Sequence, residues 1–171
     1  HHQTQDWLKL KITTGALGQA VSPDVCYLAL RGVRTLSVRI EEHQKNALEV
    51  ANWLNKRSEV ETVLHPAFPS CPGHEIWQRD FIGSSGLFSI VLKDFSMEQV
   101  NAMLNEMDYF AMGFSWGGYE SLIVPCDPTK IRSATKWNAS GPLLRIHVGQ
   151  EDVQDLIQDL ERGLSRLLGK N

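Results

Sequence analysis

LLRIHVGQEDVQDLIQDLERGLSRLL, residues 143–168, holds a strand and a helix in one run. From Leu143 to Val148 side chains alternate between faces, so Leu144, Ile146 and Val148 share one face and Leu143, Arg145 and His147 the other. From Glu151 to Leu168 the period changes. Val153, Leu156, Ile157, Leu160, Leu164 and Leu167 recur at helical spacing. Acids stand at the start of that helix, and Arg162 and Arg166 toward its end, as the helix dipole favours. The apolar strand face is expected to pack on helices.

Working upstream, the clearest helix lies in residues 34–57, with Leu36, Ile40, Ala47, Val50, Ala51 and Leu54 in one stripe. Val60 to Leu64 reads as a short strand stopped at Pro66. Gly86 to Lys93 is mostly apolar, which predicts a strand covered on both faces. Ser96 with Gln99 forms a capping box ahead of a helix. Tyr109 to Phe114 and Leu122 to Val124 read as two further strands. Residues 1–33 fit poorly: Leu8, Leu10 and Ile12 alternate, and only Ser22-Pro23-Asp24 signals a helix start, for a short helix to Leu30. The order from residue 34 predicts an α+β domain, a small, mostly antiparallel sheet with helices packed on one face. Residues 1–33 form a tail and residues 34–171 the domain.

The 171 residues suffice for a domain that needs no disulfide or metal to hold its core. The formal net charge of −3 provides no basic footprint for nucleic acid. No run of residues matches a membrane span, so no membrane partner is expected. The polar start, His1-His2-Gln3-Thr4-Gln5-Asp6, lacks the apolar segment of a signal peptide. Cys26, Cys71 and Cys126 are odd in number and far apart, which fits reduced thiols and a cytoplasmic location. No HxxxH, HExxH or CxxC pattern occurs, so no metal site is expected.

Two local anomalies carry chemistry. Arg145 stands in the middle of an apolar strand, where packing gives it no role. Its planar guanidinium suits two-point contact with a carboxylate or phosphate, either an acid of this chain or an anionic ligand. His147 reads as a hydrogen-bonded structural histidine. The second anomaly is FSWGGYESL, residues 114–122. Gly117-Gly118 permits positive φ and close backbone approach. Ser115 and Trp116 can present N–H groups to an anion, and Trp116 can wall a pocket; a decorated hairpin turn is the plain alternative. Cys71, His74, Trp77 and Arg79 in residues 70–86 lack the further ligands a metal needs.

These same stretches carry a resemblance. FSWGGYESL and LLRIHVGQEDVQDLIQDLERGL, with LRGVRTLSVRIEEHQKNALEVANWL at 30–54 and VLHPAFPSCPGHEIWQRDFIGSSGLFSIVL at 63–92, resemble the C-terminal part of the pyridoxal-phosphate-dependent transsulfuration enzymes of fold type I. Tryptophan after the loop serine points to the beta-lyase branch, with gamma-synthase and gamma-lyase branches, or a non-catalytic assembly module, as alternatives. The resemblance implies that Arg145 binds a substrate α-carboxylate. It implies that Ser115 and Trp116 contact the same end, and that Gly117 and Gly118 shape the turn. It implies that the intact enzyme cleaves L-cystathionine to homocysteine, pyruvate and ammonia, and that it is a homotetramer. It places the pyridoxal phosphate residues in a large domain that precedes the matched region. No catalytic or cofactor-binding residue is assigned to this chain, and the segment alone is expected to be inactive.

Overall fold

The computed structural model describes residues 2–170. The chain divides into two compact units, residues 1–37 and 38–171. The first holds α1, His2–Ala16, and α2, Pro23–Arg34. Pro23 opens α2 behind the Ser22 cap, as its sequence predicts, but the helix runs four residues beyond Leu30. The alternation at Leu8, Leu10 and Ile12 does not make a strand; these residues lie on α1 and are exposed, as are Val25, Leu28 and Val33.

The second unit is a four-stranded antiparallel sheet in the order β1-β2-β4-β3. The strands are β1, Val60–Leu64; β2, Leu87–Leu92; β3, Leu122–Cys126; and β4, Leu143–His147. Three helices supply the other layer: α3, Leu36–Leu54; α5, Met97–Leu104; and α6, Val153–Leu167. A short α4, His74–Asp80, lies in the connection before β2. The capping box forms as read, Ser96 accepting from the Gln99 N–H and Gln99 from the Ser96 N–H.

One face of the sheet builds the core. Phe88, Ile90, Ile123, Leu144 and Ile146 bury against Ala47, Val50 and Leu54 of α3, Met103 of α5 and Leu156, Leu160 and Leu164 of α6. Burial of a large aliphatic side chain contributes roughly 1.5–3 kcal/mol, so this shared layer dominates the stability of the unit. Gly163 lets α5 approach α6: a β-carbon there would sit 3.2 Å from Cγ of Met103 on α5.

Two expectations need correction. Strand β2 is covered fully on one face and only in part on the other. Its Phe88, Ile90 and Leu92 are in the core; on the opposite face Val91 is buried, but Leu87 and Ser89 are only half-buried. Tyr109 to Phe114 is not a strand either. The buried Asp159 carboxylate on α6 accepts from the backbone N–H groups of Asp108, Tyr109 and Phe110. Those donors are therefore lost to any ladder, and only Ala111 bridges to β3, in parallel with Leu122. Asp159 occupies a position in the apolar stripe of α6, which is the sequence signal for this anchor.

Candidate functional site: the open face of the sheet

Strand β4 is central, so its outward residues have neighbours on both sides. Arg145 lies opposite Ser89 of β2 and Val124 of β3; His147 lies opposite Leu87 and Leu122. Residues directly opposed in an antiparallel ladder share a face. The row around Arg145 therefore contains a small hydroxyl and a small apolar side chain, with no acid. Among the described residues Arg145 makes no ion pair. The internal ion pair that its sequence position allows is not formed among them. Its guanidinium lies 4.7 Å from the centre of the Trp116 ring. A cleft of about 630 Å³ opens beside it, lined by Leu87, Phe114, Ile131 and Leu143 with Ser89 and Asp127, the acid being paired with Lys130. A half-buried guanidinium with no ion pair among the described residues, an aromatic ring on its flank and a mostly apolar trough beside it is equipped to hold a carboxylate with an apolar side chain attached.

The loop that brings Trp116 there turns at Gly117, whose φ of 96° is in the left-handed region that a side chain resists. Gly118 does not use that freedom; its carbonyl oxygen instead lies 3.1 Å from Nε2 of His147. Ser115 and Phe114 are exposed, and Trp116 is half-buried. The structure thus brings Arg145, Trp116, Gly117 and Gly118 together with Ser115 beside them on the loop.

Four residues that spacing does not reveal, Ser121, Gly149, Gln150 and Glu151, hold this loop. Ser121 donates both its N–H and its Oγ–H to the Glu151 carboxylate, at 2.7 and 2.9 Å. The same Ser121 oxygen accepts from the Gly149 N–H at 2.9 Å. Gln150 N–H donates to the Tyr119 carbonyl. Gly149 is required here, because a β-carbon at that position would run into the Tyr119 carbonyl oxygen. His147 is hydrogen-bonded and also buried, and burial, with His43 nearby, pushes it below the ordinary histidine range, against the opposing influence of the Gly118 hydrogen bond and Glu151.

The stretch 70–86 resolves into local structure. His74 Nδ1 is 2.8 Å from the Pro66 carbonyl, Trp77 donates its indole N–H to the Gly83 carbonyl, and Arg79 pairs with Asp80. Among the described residues no group of three or more His, Cys, Asp or Glu side chains is placed to hold a metal ion. No helix among them is long and apolar enough to cross a membrane.

Residues 2–165 match the family model described as Cys/Met metabolism PLP-dependent enzyme. The chain is 47% identical over 165 residues to cystathionine beta-lyase of Haemophilus influenzae, covering 94% of this chain and 42% of that protein. It is 45% identical over 152 residues to L-alanine/L-glutamate racemase of Wolbachia pipientis, covering 88% of this chain and 38% of that protein. Among solved structures, cystathionine gamma synthase from Xanthomonas oryzae in complex with cystathionine superposes with a TM-score of 0.75 at 34% identity, over 91% of this chain and 41% of that one. The chain thus spans about two-fifths of the length of the relatives it matches.

A Schiff-base lysine needs a sheltered amine whose charged form is disfavoured. All eight lysines of this chain are exposed: Lys9, Lys11, Lys45, Lys56, Lys93, Lys130, Lys136 and Lys170. The residues present here do not fit pyridoxal phosphate as its holders. What they do offer is recognition of an anionic group on the open face of the sheet.

Proposed function

The chain belongs to the family of Cys/Met metabolism PLP-dependent enzymes, and on that premise we propose that it is the substrate-clamping C-terminal portion of a carbon–sulfur lyase. The whole enzyme cleaves L-cystathionine to homocysteine, pyruvate and ammonia by β-elimination. In that enzyme pyridoxal phosphate supplies the electron sink for the carbanion chemistry.

This chain's own part is binding and orientation. Arg145 takes the substrate α-carboxylate in a two-point contact, and Trp116 lies against the guanidinium so that its donors are aimed before the substrate arrives. Ser115 sits at the same carboxylate end. Gly117 makes the turn that allows Trp116 to reach Arg145, and Gly118 fastens the turn to the sheet. A carboxylate fixed at two points loses most of its rotational freedom, and such positioning is a large part of what an active site contributes to rate.

The observation that carries the reading is Arg145 itself, a half-buried central-strand arginine without an acid partner among the described residues, held against Trp116. The test uses the whole enzyme loaded with pyridoxal phosphate. L-cystathionine should yield pyruvate and homocysteine, and Arg145→Ala should lower kcat/KM by at least a hundredfold, since losing a two-point charged contact removes about 3 kcal/mol. Unchanged efficiency in that variant sinks the clamp. A second reading, γ-elimination or γ-replacement, draws on the likeness to a cystathionine gamma synthase. Release of 2-oxobutyrate and cysteine in place of pyruvate and homocysteine would decide for γ-elimination.

Within the same proposal, residues 1–33 are a tail from the large-domain side and residues 34–171 are the small domain. The whole enzyme is a homotetramer, as the family resemblance implies, and is cytoplasmic, a location supported by three free cysteines. Light scattering of the intact enzyme tests the assembly. The 171-residue chain on its own should release no pyruvate and develop no absorbance near about 420 nm with added cofactor, because it brings no sheltered lysine.

A further inference from the structure

We propose that His147 is a positioning residue of the carboxylate clamp: through its Nε2–H bond to the Gly118 carbonyl it fixes the Ser115–Gly118 loop and holds Trp116 against Arg145. The inference rests on the reading of Arg145 given above.

His147 lies two residues along β4 from Arg145, on the same face, and is 2% exposed. A carbonyl oxygen only accepts, so the 3.1 Å contact with Gly118 requires the proton on Nε2. The other ring nitrogen, Nδ1, is buried and has no hydrogen-bond partner among the described residues. In the neutral ring it is a lone pair facing protein. A buried acceptor without a partner is unfavourable, and an apolar side chain of similar size would avoid it. The imidazole is therefore kept for its single donor, and that donor is spent on the loop that carries Trp116.

The ring is also built in as a rigid support. The Trp116 ring, edge to face with it, is centred 6.5 Å away, and the His43 ring 5.1 Å away. His43 is itself fixed by a 2.8 Å contact between its Nδ1 and the Val148 carbonyl. Behind the ring, Gly86 leaves the necessary space; a β-carbon there would approach His147 Nδ1 to 3.0 Å and collide with the Val148 carbonyl. Arg145 is thus steadied through Trp116 and the loop, and His147 touches no substrate.

The test compares His147→Phe, which fills the space without a donor, with His147→Gln, whose amide nitrogen takes the place of Nε2. In the whole enzyme, His147→Phe should raise KM for L-cystathionine about fivefold with kcat within twofold, and His147→Gln should restore KM to within twofold of the parent. A parent-like KM in the Phe variant, or a Gln variant as impaired as the Phe variant, overturns the proposal. Arg145→Ala in the same series separates the two ideas. If it too leaves KM unchanged, the clamp reading has failed; if it raises KM while His147→Phe does not, only the positioning role has failed. A second measurement needs no substitution. Ring ¹⁵N chemical shifts of His147 in the 171-residue chain should report the Nε2–H tautomer, and an Nδ1–H tautomer would overturn the proposal whether or not the variants fold.

Discussion

Replacing Trp116 by alanine tests whether the aromatic ring acts through Arg145 or merely lines the cleft. The guanidinium sits 4.7 Å from the ring centre and is half-buried, between the exposed and desolvated limits of cation–π strength. That puts the contact at about 1 kcal/mol, or roughly a fivefold loss of kcat/KM. Arg145→Lys keeps the charge but loses the planar fork; surrendering one arm of a charged two-point contact costs about 1.5 kcal/mol, roughly a tenfold loss. If the two effects were independent, the double variant would lose roughly fiftyfold. If Trp116 serves only to hold the fork, its removal does little once the fork is gone, and the double variant loses between roughly tenfold and twentyfold. The assay is steady-state cleavage of L-cystathionine by the four enzymes, with Trp116→Phe as a fifth that keeps an aromatic face and loses about twofold. Thermal midpoints should stay close together, because Arg145 makes no ion pair among the described residues and Trp116 lies outside the core cluster. Losses that simply multiply, within about 0.3 kcal/mol, would refute the argument that the ring works through the arginine.

Other perturbations address the scaffold. His65 is fully buried, and burial lowers it to about 4. The unfolded chain takes up that proton near the ordinary value of 6.5, so stability is full above that pH and falls as the pH drops from about 6.5 to about 4, by up to about 3 kcal/mol. His65→Asn, which still accepts from the Ala67 N–H, should flatten that part of the curve in urea titrations; an unchanged slope would exclude His65 as its source. Gly149→Ala should destabilise by about 1–3 kcal/mol, because the added methyl meets the Tyr119 backbone; denaturant midpoints matching the parent would mean the turn relaxes freely. Asp159→Ala strips three backbone N–H groups of their acceptor and should cost about 2–4 kcal/mol; faster amide exchange confined to residues 108–110 would locate the damage.

Local signals made much of the fold legible. Val60 to Leu64, the Ser96–Gln99 capping box and the inward stripe of α6 each depend on residues a few positions apart, and each forms as its residues direct. The misreadings have the opposite character. Tyr109 to Phe114 has strand-like residues, but its donors answer to a carboxylate some fifty positions away. The α1 apolar residues carry no burial pattern because the described chain leaves them exposed, so period alone misleads. At the site, Arg145, Trp116 and Gly117 stood out because each breaks a local rule. Ser121, Glu151 and His147 support them by hydrogen bonds across 28 to 30 positions, a distance over which spacing carries no information.

The strand order β1-β2-β4-β3 has a temporal consequence. Of the two interior strands, β2 and β4, β4 is the last of all four strands to be synthesised, and only α6 follows it among the described elements. Until residues 143–147 emerge, β2 has an open edge and β3 has no ladder to join, apart from its bridge to Ala111. Pairing across such separations is the slow step of folding, and an unpaired edge invites association with other nascent chains. The strand that closes the sheet is also the one that carries Arg145. A growing chain therefore cannot possess a working clamp before it has a closed sheet, and the anion-seeking guanidinium first appears already seated between two strands.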